Sequence, residues 1–188
     1  NLIGIKYYTD LQERIPREEI TDIFELIKEY CIEFDKNIYI EVCGSYRRQC
    51  ETSGDIDILI SHNQLSDKKY LKKIVNMLTE KNILIDNLNT NITTKYNGMC
   101  RLNENNYARR IDIRLIDKES IPFALLYFTG SKNCNTNMRT IAKKKGLKLN
   151  EYGLFDCNSN NKIEHSFNSE EDIFNYLELN YVEPINRK

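Results

Sequence analysis

The sequence predicts an α+β fold with two lobes, a larger one at the N-terminus and a smaller mixed one at the C-terminus. Helical and strand patterns alternate along the first two thirds of the 188 residues, which is typical of a sheet covered by helices. After residues 120–122 the pattern changes to short helices and one small hairpin. The boundary between the lobes is therefore placed near residue 125.

The larger lobe is predicted to begin with a long helix at residues 14–37. Its apolar residues recur at helical spacing, and Pro16 suits the first turn. A second amphipathic helix, with its lysines facing outward, is predicted at 67–82, and a short helical turn at 46–51.

Alternation of apolar and polar residues predicts the strands of this lobe. They are expected at 38–43, 55–61, 83–88, 93–102 and 108–117. Within the fourth of these stretches the dipeptide Asn97-Gly98 indicates a hairpin turn.

The C-terminal lobe is predicted to hold three helices and a hairpin. The expected elements are a helix at 122–131 broken at Gly130, a helix at 135–146 closed by Gly146, a hairpin at 147–155 and a serine-capped helix at 169–179.

Composition argues against a membrane or secreted protein. No apolar run approaches the roughly 20 residues that cross a bilayer, and the first residues lack the features of a secretory signal. The six cysteines form no CxxC pair, so reduced thiols in an intracellular protein are expected rather than a zinc site. The first residue is Asn rather than Met, which suggests a fragment or a processed product.

Two stretches place carboxylates on strand faces. Successive strand residues face opposite ways, so Asp55 and Asp57 share one face, and Asp112 shares a face with Arg110 and Arg114. If the two strands are neighbours, three carboxylates converge. Like charges about 4 Å apart repel by about 4 kcal/mol at an effective dielectric constant of 20. Such a cluster must protonate, recruit cationic side chains or bind a hard metal ion such as Mg²⁺ or Mn²⁺.

A candidate phosphate site lies just upstream of the first carboxylate pair. Gly44 and Ser45 end a strand, where backbone N–H groups and a hydroxyl can hold phosphate, and Arg48 adds a fork of donors. The alternative is that each aspartate is simply solvated or paired with an arginine, since one Asp-x-Asp pattern is common by chance. The phosphate and metal elements together favour nucleotidyl transfer.

Five motifs in a fixed order carry a resemblance to a known family. The stretches CGSYRRQCETSGDIDILI, RRIDIRLI and LLYFTGS followed by NTNMR, with RIPREE before them and LNEYGLF after them, resemble the DNA polymerase beta group of family X DNA polymerases. The resemblance covers essentially the whole chain. It implies a nucleotidyltransferase-type palm at 16–125, with a mixed sheet flanked by helices. It also implies a C-terminal nucleotide-selection lobe at 126–188 and, at 1–15, the remnant of an upstream DNA-binding hairpin module.

The resemblance implies roles for the residues of the palm. Asp55 and Asp57 would bridge two Mg²⁺ ions, which Mn²⁺ can replace, while Asp112 would bind the catalytic ion and accept the proton of the primer 3′-OH. Arg110 would contact the primer, and Arg114 would pair with Asp57 in an open state and release it on closure. The implied nucleotide-binding residues of this lobe are Arg14, Gly44, Ser45, Arg48, Ser53 and Gly54.

In the C-terminal lobe the resemblance concerns nucleotide selection. Tyr127, Phe128 and Gly130 resemble the segment that crowds a ribose 2′-OH, and Asn135 and Arg139 would lie on the minor-groove side of the new base pair. The alternative for Tyr127 and Phe128 is packing at the lobe junction.

The implied function is template-directed gap filling during DNA repair of the base-excision type. Gapped or primed DNA and deoxynucleoside triphosphates would be the partners of a monomer without membrane contact. It would lie in the nucleus, or in the host cytoplasm if a large DNA virus encodes it. Template-independent nucleotide addition is an alternative, disfavoured because Tyr127-Phe128 replaces the Gly-Trp usual in the untemplated relatives. A catalytically silent DNA-binding module is a further alternative, disfavoured by the intact carboxylates.

Overall fold

The computed structural model describes residues 2–62 and 67–188. Residue 1 of the predicted N-terminal segment and residues 63–66 of the predicted palm lie outside the described residues. The α-helices are α1 Leu2–Lys6, α2 Tyr8–Gln12, α3 Arg17–Phe34, α4 Gly44–Arg47, α5 Tyr70–Glu80, α6 Ile121–Thr129, α7 Lys132–Lys144 and α8 Glu170–Tyr176. The strands are β1 Ile15–Pro16, β2 Tyr39–Val42, β3 Thr52–Ser53, β4 Ile56–Ser61, β5 Leu84–Asn87, β6 Lys95–Cys100, β7 Arg109–Leu115, β8 Leu147–Asn150 and β9 Gly153–Asp156.

A five-stranded mixed sheet in the order β2-β4-β7-β6-β5 forms the centre of the larger lobe. The β4–β7 pair is parallel and the other pairs are antiparallel. Helices α3 and α5 pack on one face of this sheet, against the isoleucines of β4 and β7. The predicted mixed sheet flanked by helices is confirmed.

The opposite face of the sheet is partly covered by α6. Leu59 of β4 packs there against Ala124 of α6 and Cys43. Because strand residues alternate, Ile56, Ile58 and Ile60 enter the core under α3 and α5 while the odd-numbered residues of β4 face α6. This division leaves one face of the sheet for polar chemistry.

The predicted hairpin turn at Asn97-Gly98 is wrong. Both residues lie inside β6, where Asn97 pairs with Asp112 and Gly98 pairs with Ile111. A side chain at position 98 would place its Cβ 2.0 Å from the Tyr96 hydroxyl oxygen. Gly98 is therefore required by close packing and not by a turn.

The long first helix begins later than its apolar pattern predicts. Pro16 adopts an extended backbone at the N-cap of α3, and β1 pairs antiparallel with β3. This small two-stranded sheet was missed because neither strand is long enough to show alternation. The helical turn predicted at 46–51 instead begins two residues earlier, as α4 at Gly44–Arg47.

The C-terminal lobe has a hydrophobic core of its own. It is formed by Phe123, Leu126, Met138, Ala142, Leu149, Leu154, Ile173, Phe174 and Leu177. Gly130 ends α6 with a φ of 68°, and Ser169 caps α8 through a capping box with Asp172. Helix α6 runs unbroken through residue 125, and the division of the chain at that residue stays a prediction.

A buried carboxylate joins the two lobes. Glu170, at the start of α8, accepts a hydrogen bond at 2.5 Å from Arg47 of α4 and another from Arg187 near the C-terminus. Arg47 also donates to the Thr129 hydroxyl at 2.7 Å. Glu170 and Arg187 are both buried, so removal of the carboxylate leaves two guanidinium groups facing each other without a counter-charge.

We predict that Glu170→Ala lowers the free energy of unfolding by about 3–5 kcal/mol, the usual effect of breaking a buried ion pair from one side. Urea unfolding followed by circular dichroism measures the change. Glu171→Ala is the matched control, because Glu171 is exposed on the same helix and its removal is expected to cost less than about 1 kcal/mol. Equal losses in the two variants would contradict the assigned role of Glu170.

Candidate active site

The three predicted aspartates converge on the polar face of the sheet. Asp57 and Asp112 lie directly opposite each other in the parallel β4–β7 register, and Asp55 stands one residue before β4. One carboxylate oxygen from each of the three lies within 4.8 Å of the others. In the described ranges this is the one group of three or more potential metal ligands that meets that distance.

Burial and mutual repulsion make this a site with excess negative charge. Burial raises the pKa of Asp57 to about 7, and the charges of Asp55 and Asp112 add to the effect. Burial and then the charge of Asp112 also raise the pKa of Asp55. Arg110 lies 3.8 Å from Asp112, but its side chain is 49% exposed. Water therefore screens its positive charge, and Arg110 offsets little of the repulsion among the carboxylates. Three crowded carboxylates with all-oxygen donors suit a hard divalent cation.

The backbone turn after β2 packs directly on Asp57. A Cβ at Gly44, whose φ is 60°, would lie 2.4 Å from an Asp57 carboxylate oxygen. The Cys43 N–H also donates to the Asp57 carbonyl at 2.8 Å. Glycine is therefore needed at position 44 both for its positive φ and for the approach of the carboxylate.

The predicted phosphate-binding residues of the palm lie in one region beside this turn. The Ser45 hydroxyl hydrogen-bonds to the Ser53 hydroxyl at 2.6 Å. The Arg14 guanidinium donates to the side chain and carbonyl of Thr52 at 2.9 and 3.0 Å, and it lies beside Gly54. The short β1–β3 sheet thus brings Arg14 next to the segment that precedes Asp55.

Arg48 connects this region to the C-terminal lobe. Its Nη1 donates to the Thr129 carbonyl at 2.6 Å and lies 3.2 Å from where a Cβ on Gly130 would stand. The predicted nucleotide-binding residues Arg48 and Gly130 are therefore neighbours.

The remaining predicted residues of the C-terminal lobe lie near the end of α6. The Asn135 side chain donates to the Tyr127 carbonyl at 2.7 Å, and Tyr127, Asn135 and Arg139 line one small cavity. The ring of Phe128 stands edge-on to that of Tyr127, 5.0 Å away between centroids, and borders a pocket with Asp57 and Asp112.

Arg114 lies beside Phe128, and its pairing with Asp57 in an open state stays a prediction. Its guanidinium carbon lies 5.3 Å from the centre of the Phe128 ring, and Arg114 lines one pocket together with Asp57 and Phe128. The aromatic face of Phe128 competes for the guanidinium. The charge of Arg114 still acts on Asp57, since it lowers that carboxyl's pKa.

Asn97 is the site residue that sequence reasoning missed. Its side-chain nitrogen donates to Oδ1 of Asp112 at 2.5 Å. The strand predicted at 93–102 places Asn97 on the same face as Lys95 and Met99, but the Asn-Gly dipeptide indicated a turn within it.

A mixed sheet with converging carboxylates beside a Gly-Ser turn defines a palm-type fold. Sequence models of the DNA polymerase beta palm and the DNA polymerase beta thumb match residues 14–118 and 124–188. The chain therefore belongs to the DNA polymerase beta family, also called family X.

Curated relatives match nearly the whole chain. DNA polymerase lambda from rat is 34% identical and that from Arabidopsis thaliana 30% identical, each over 98% of this chain. DNA nucleotidylexotransferase from Xenopus laevis is 26% identical over the same share. The chain spans 35%, 38% and 43% of the length of these relatives, respectively. None of the three is viral, so they give no support to a viral source.

No helix among the described residues combines the length and apolar character needed to cross a membrane.

We predict that the metal-free protein loses stability as pH rises from about 4 to about 7. In that window folded Asp57, with its pKa near 7 against an ordinary value of 3.8, holds a proton that the unfolded chain has released, so the free energy of unfolding falls with increasing pH. The variant Asp57→Asn removes the contribution of Asp57 to this pH dependence and is expected to be more stable than the wild type at pH 8.

Thermal unfolding in EDTA at pH 5 and pH 8 measures this effect. Asp117→Asn is the control, because Asp117 is exposed just beyond β7 and should keep the wild-type response. If the melting temperatures of Asp57→Asn and the wild type changed equally with pH, Asp57 would not be the source of the pH dependence.

Proposed function

We propose that this chain is the catalytic portion of a template-directed DNA polymerase that fills short gaps during repair of the base-excision type. It would add deoxynucleotides to a primer 3′-OH. The observation that carries the proposal is the convergence of Asp55, Asp57 and Asp112 within 4.8 Å, beside the Gly44-Ser45 turn, in a member of this family.

Asp55, Asp57 and Asp112 would hold two Mg²⁺ ions, for which Mn²⁺ can substitute. The all-oxygen donor set and the raised pKa of Asp57 fit a divalent cation, whose charge relieves the repulsion among the carboxylates. When bound, such ions supply Lewis-acid stabilisation of the triphosphate and make a hydroxyl a better nucleophile.

In this proposal some residues of the palm act on the primer and others bind the triphosphate. Asp112 accepts the proton of the primer 3′-OH, and Arg110, beside it at 3.8 Å, contacts the primer strand. On the other side Ser45, Arg48 and the Gly54 backbone hold the β- and γ-phosphates. A guanidinium has five N–H donors, so Arg48 can keep its Thr129 contact while it binds a phosphate oxygen.

Arg14 and Ser53 complete the phosphate region in this proposal. Arg14 would extend toward the γ-phosphate from its position beside Gly54. Ser53 is buried and fixes the hydroxyl of Ser45 through their hydrogen bond.

The end of α6 would select the nucleotide. Tyr127, Phe128 and Gly130 crowd the sugar so that a ribose 2′-OH is disfavoured, while Asn135 and Arg139 lie on the minor-groove side of the new pair. In our proposal Arg114 is the gate, because its guanidinium contacts the Phe128 ring and its charge lowers the pKa of the Asp57 carboxyl.

Template-independent addition is a second candidate, favoured by the Xenopus laevis relative named a DNA nucleotidylexotransferase. That relative is less similar than the two named DNA polymerase lambda, and Tyr127-Phe128 differs from the Gly-Trp of untemplated relatives. We therefore favour templated synthesis.

We predict that the protein, with Mg²⁺ and a duplex carrying a one-nucleotide gap, adds the complementary deoxynucleotide far faster than the three mismatched ones. Primer extension on a gel measures the four rates. The same primer without a template strand is the control. Equal rates with and without the template would reject the proposal in favour of untemplated addition.

We predict that Asp112→Asn lowers the rate of nucleotide addition by about 100-fold or more, as expected when a general base is lost. Nucleotide affinity should change little, because the phosphate-binding residues are intact. Single-turnover kinetics separate the two quantities. Asp117→Asn is the matched control, since it removes an exposed carboxylate just beyond the same strand. A normal rate in Asp112→Asn would overturn the assigned role.

A further inference from the structure

Asn97 occupies the third position in a row of polar residues across the sheet. Asp57 on β4 lies opposite Asp112 on β7, and Asp112 lies opposite Asn97 on β6. Directly opposed residues on neighbouring strands share a face, so the three side chains line up on the face that carries the carboxylate cluster.

The contact between Asn97 and Asp112 has one chemically sensible orientation. Its 2.5 Å distance joins the amide nitrogen Nδ2 to the carboxylate oxygen Oδ1. An ionised carboxylate only accepts hydrogen bonds, so the amide nitrogen, and not the amide oxygen, must face it. Among the described residues Asp112 is the side-chain partner of Asn97.

The backbone around Asn97 is held firmly. Its N–H donates to the Asn89 side chain at 2.9 Å, and its carbonyl accepts from the Leu88 N–H at 2.8 Å. Asn89 also donates to the Lys95 carbonyl at 2.9 Å. The next residue, Gly98, pairs with Asn87 of β5 on one side and with Ile111 of β7 on the other. The amide is therefore presented from a rigid strand and not from a loop.

Asp112 needs such a fixed donor because two forces act to turn it away from the cluster. Asp55 and Asp57 repel it, and Arg110 lies 3.8 Å from its other oxygen, Oδ2. A hydrogen bond on Oδ1 opposes rotation toward Arg110 and keeps an oxygen within 4.8 Å of the other two aspartates. Partners that orient metal-ligating carboxylates in this way act on metal affinity and on rate.

We propose that Asn97 is a positioning residue of this site: its side-chain amide holds the Asp112 carboxylate in the orientation that binds the primer-side divalent cation. The role in catalysis rests on the proposed polymerase function. The role in cation binding rests on the geometry of the carboxylate cluster alone.

The variant Asn97→Leu tests the proposal, since leucine branches at Cγ as asparagine does and has no hydrogen-bond donor. Mn²⁺ is the probe, and the electron paramagnetic resonance signal of the free ion reports its binding to the full chain without DNA or nucleotide. We expect the dissociation constant of Mn²⁺ to rise about 10-fold. Asn97→Gln keeps the amide donor and should recover part of the affinity.

Single-turnover nucleotide addition is the second readout. In Asn97→Leu the maximal rate should fall about 10-fold, while the apparent affinity for the deoxynucleotide stays within experimental error. A purely structural role would not produce that separation. Asn87→Leu is the matched control, because Asn87 is exposed on β5, opposite Gly98, and should behave as the wild type in both assays.

The outcomes are distinct. Weaker Mn²⁺ binding in Asn97→Leu, with partial recovery in Asn97→Gln, supports the positioning role. Unchanged Mn²⁺ binding overturns it, whether or not the melting temperature of Asn97→Leu falls. If the wild type adds no nucleotide to any primer, the proposed polymerase function fails, and the Mn²⁺ titration still decides the role of Asn97.

Discussion

The central constraint on this structure is that three mutually repelling carboxylates must be held close together on one face of a sheet. Repulsion of about 4 kcal/mol for each close pair, at an effective dielectric constant of 20, would move the aspartates apart on a loose scaffold. Here the parallel pairing of β4 with β7 fixes Asp57 opposite Asp112. The isoleucines on the other face of the same strands are buried under α3 and α5. Packing on one face thus holds in place the charge that is concentrated on the other, and a divalent cation is the natural counter-charge.

The same short segment links this charge to the C-terminal lobe. Helix α4 begins with Gly44, which lies against Asp57, and it continues into Arg47 and Arg48. These two arginines reach Thr129 at the end of α6, and Arg47 also reaches the buried Glu170. A shift of the C-terminal lobe must therefore carry along or break contacts that begin one turn away from the carboxylate cluster. In the proposed reaction this is a direct route by which lobe position can affect the site.

Local patterns predicted much of the fold and of the site, and the reason is physical. The alternation in residues 55–61 and 108–117 follows from strand geometry alone, so the shared face of Asp55 and Asp57 was available from the sequence. That these strands are neighbours was an assumption, which the β4–β7 pairing confirms.

What the sequence could not supply depended on contacts between distant residues. Asn97-Gly98 carries the local signal of a turn, yet pairing of β6 with both β5 and β7 overrode that preference. Glu170 and Arg47 are separated by 123 positions, and no local pattern reports such a pair. The contact of Arg114 with Phe128 likewise depends on how α6 packs on the sheet.

The most direct test of the proposed metal site is a crystal of the protein soaked with Mn²⁺ and a non-hydrolysable deoxynucleoside triphosphate, with the ions located by anomalous scattering. Our expectation is that the anomalous peaks are coordinated by the carboxylates of Asp55, Asp57 and Asp112, with the triphosphate reaching toward Ser45. A triphosphate bound there without any peak between these three aspartates, or Mn²⁺ bound only elsewhere on the protein, would contradict it.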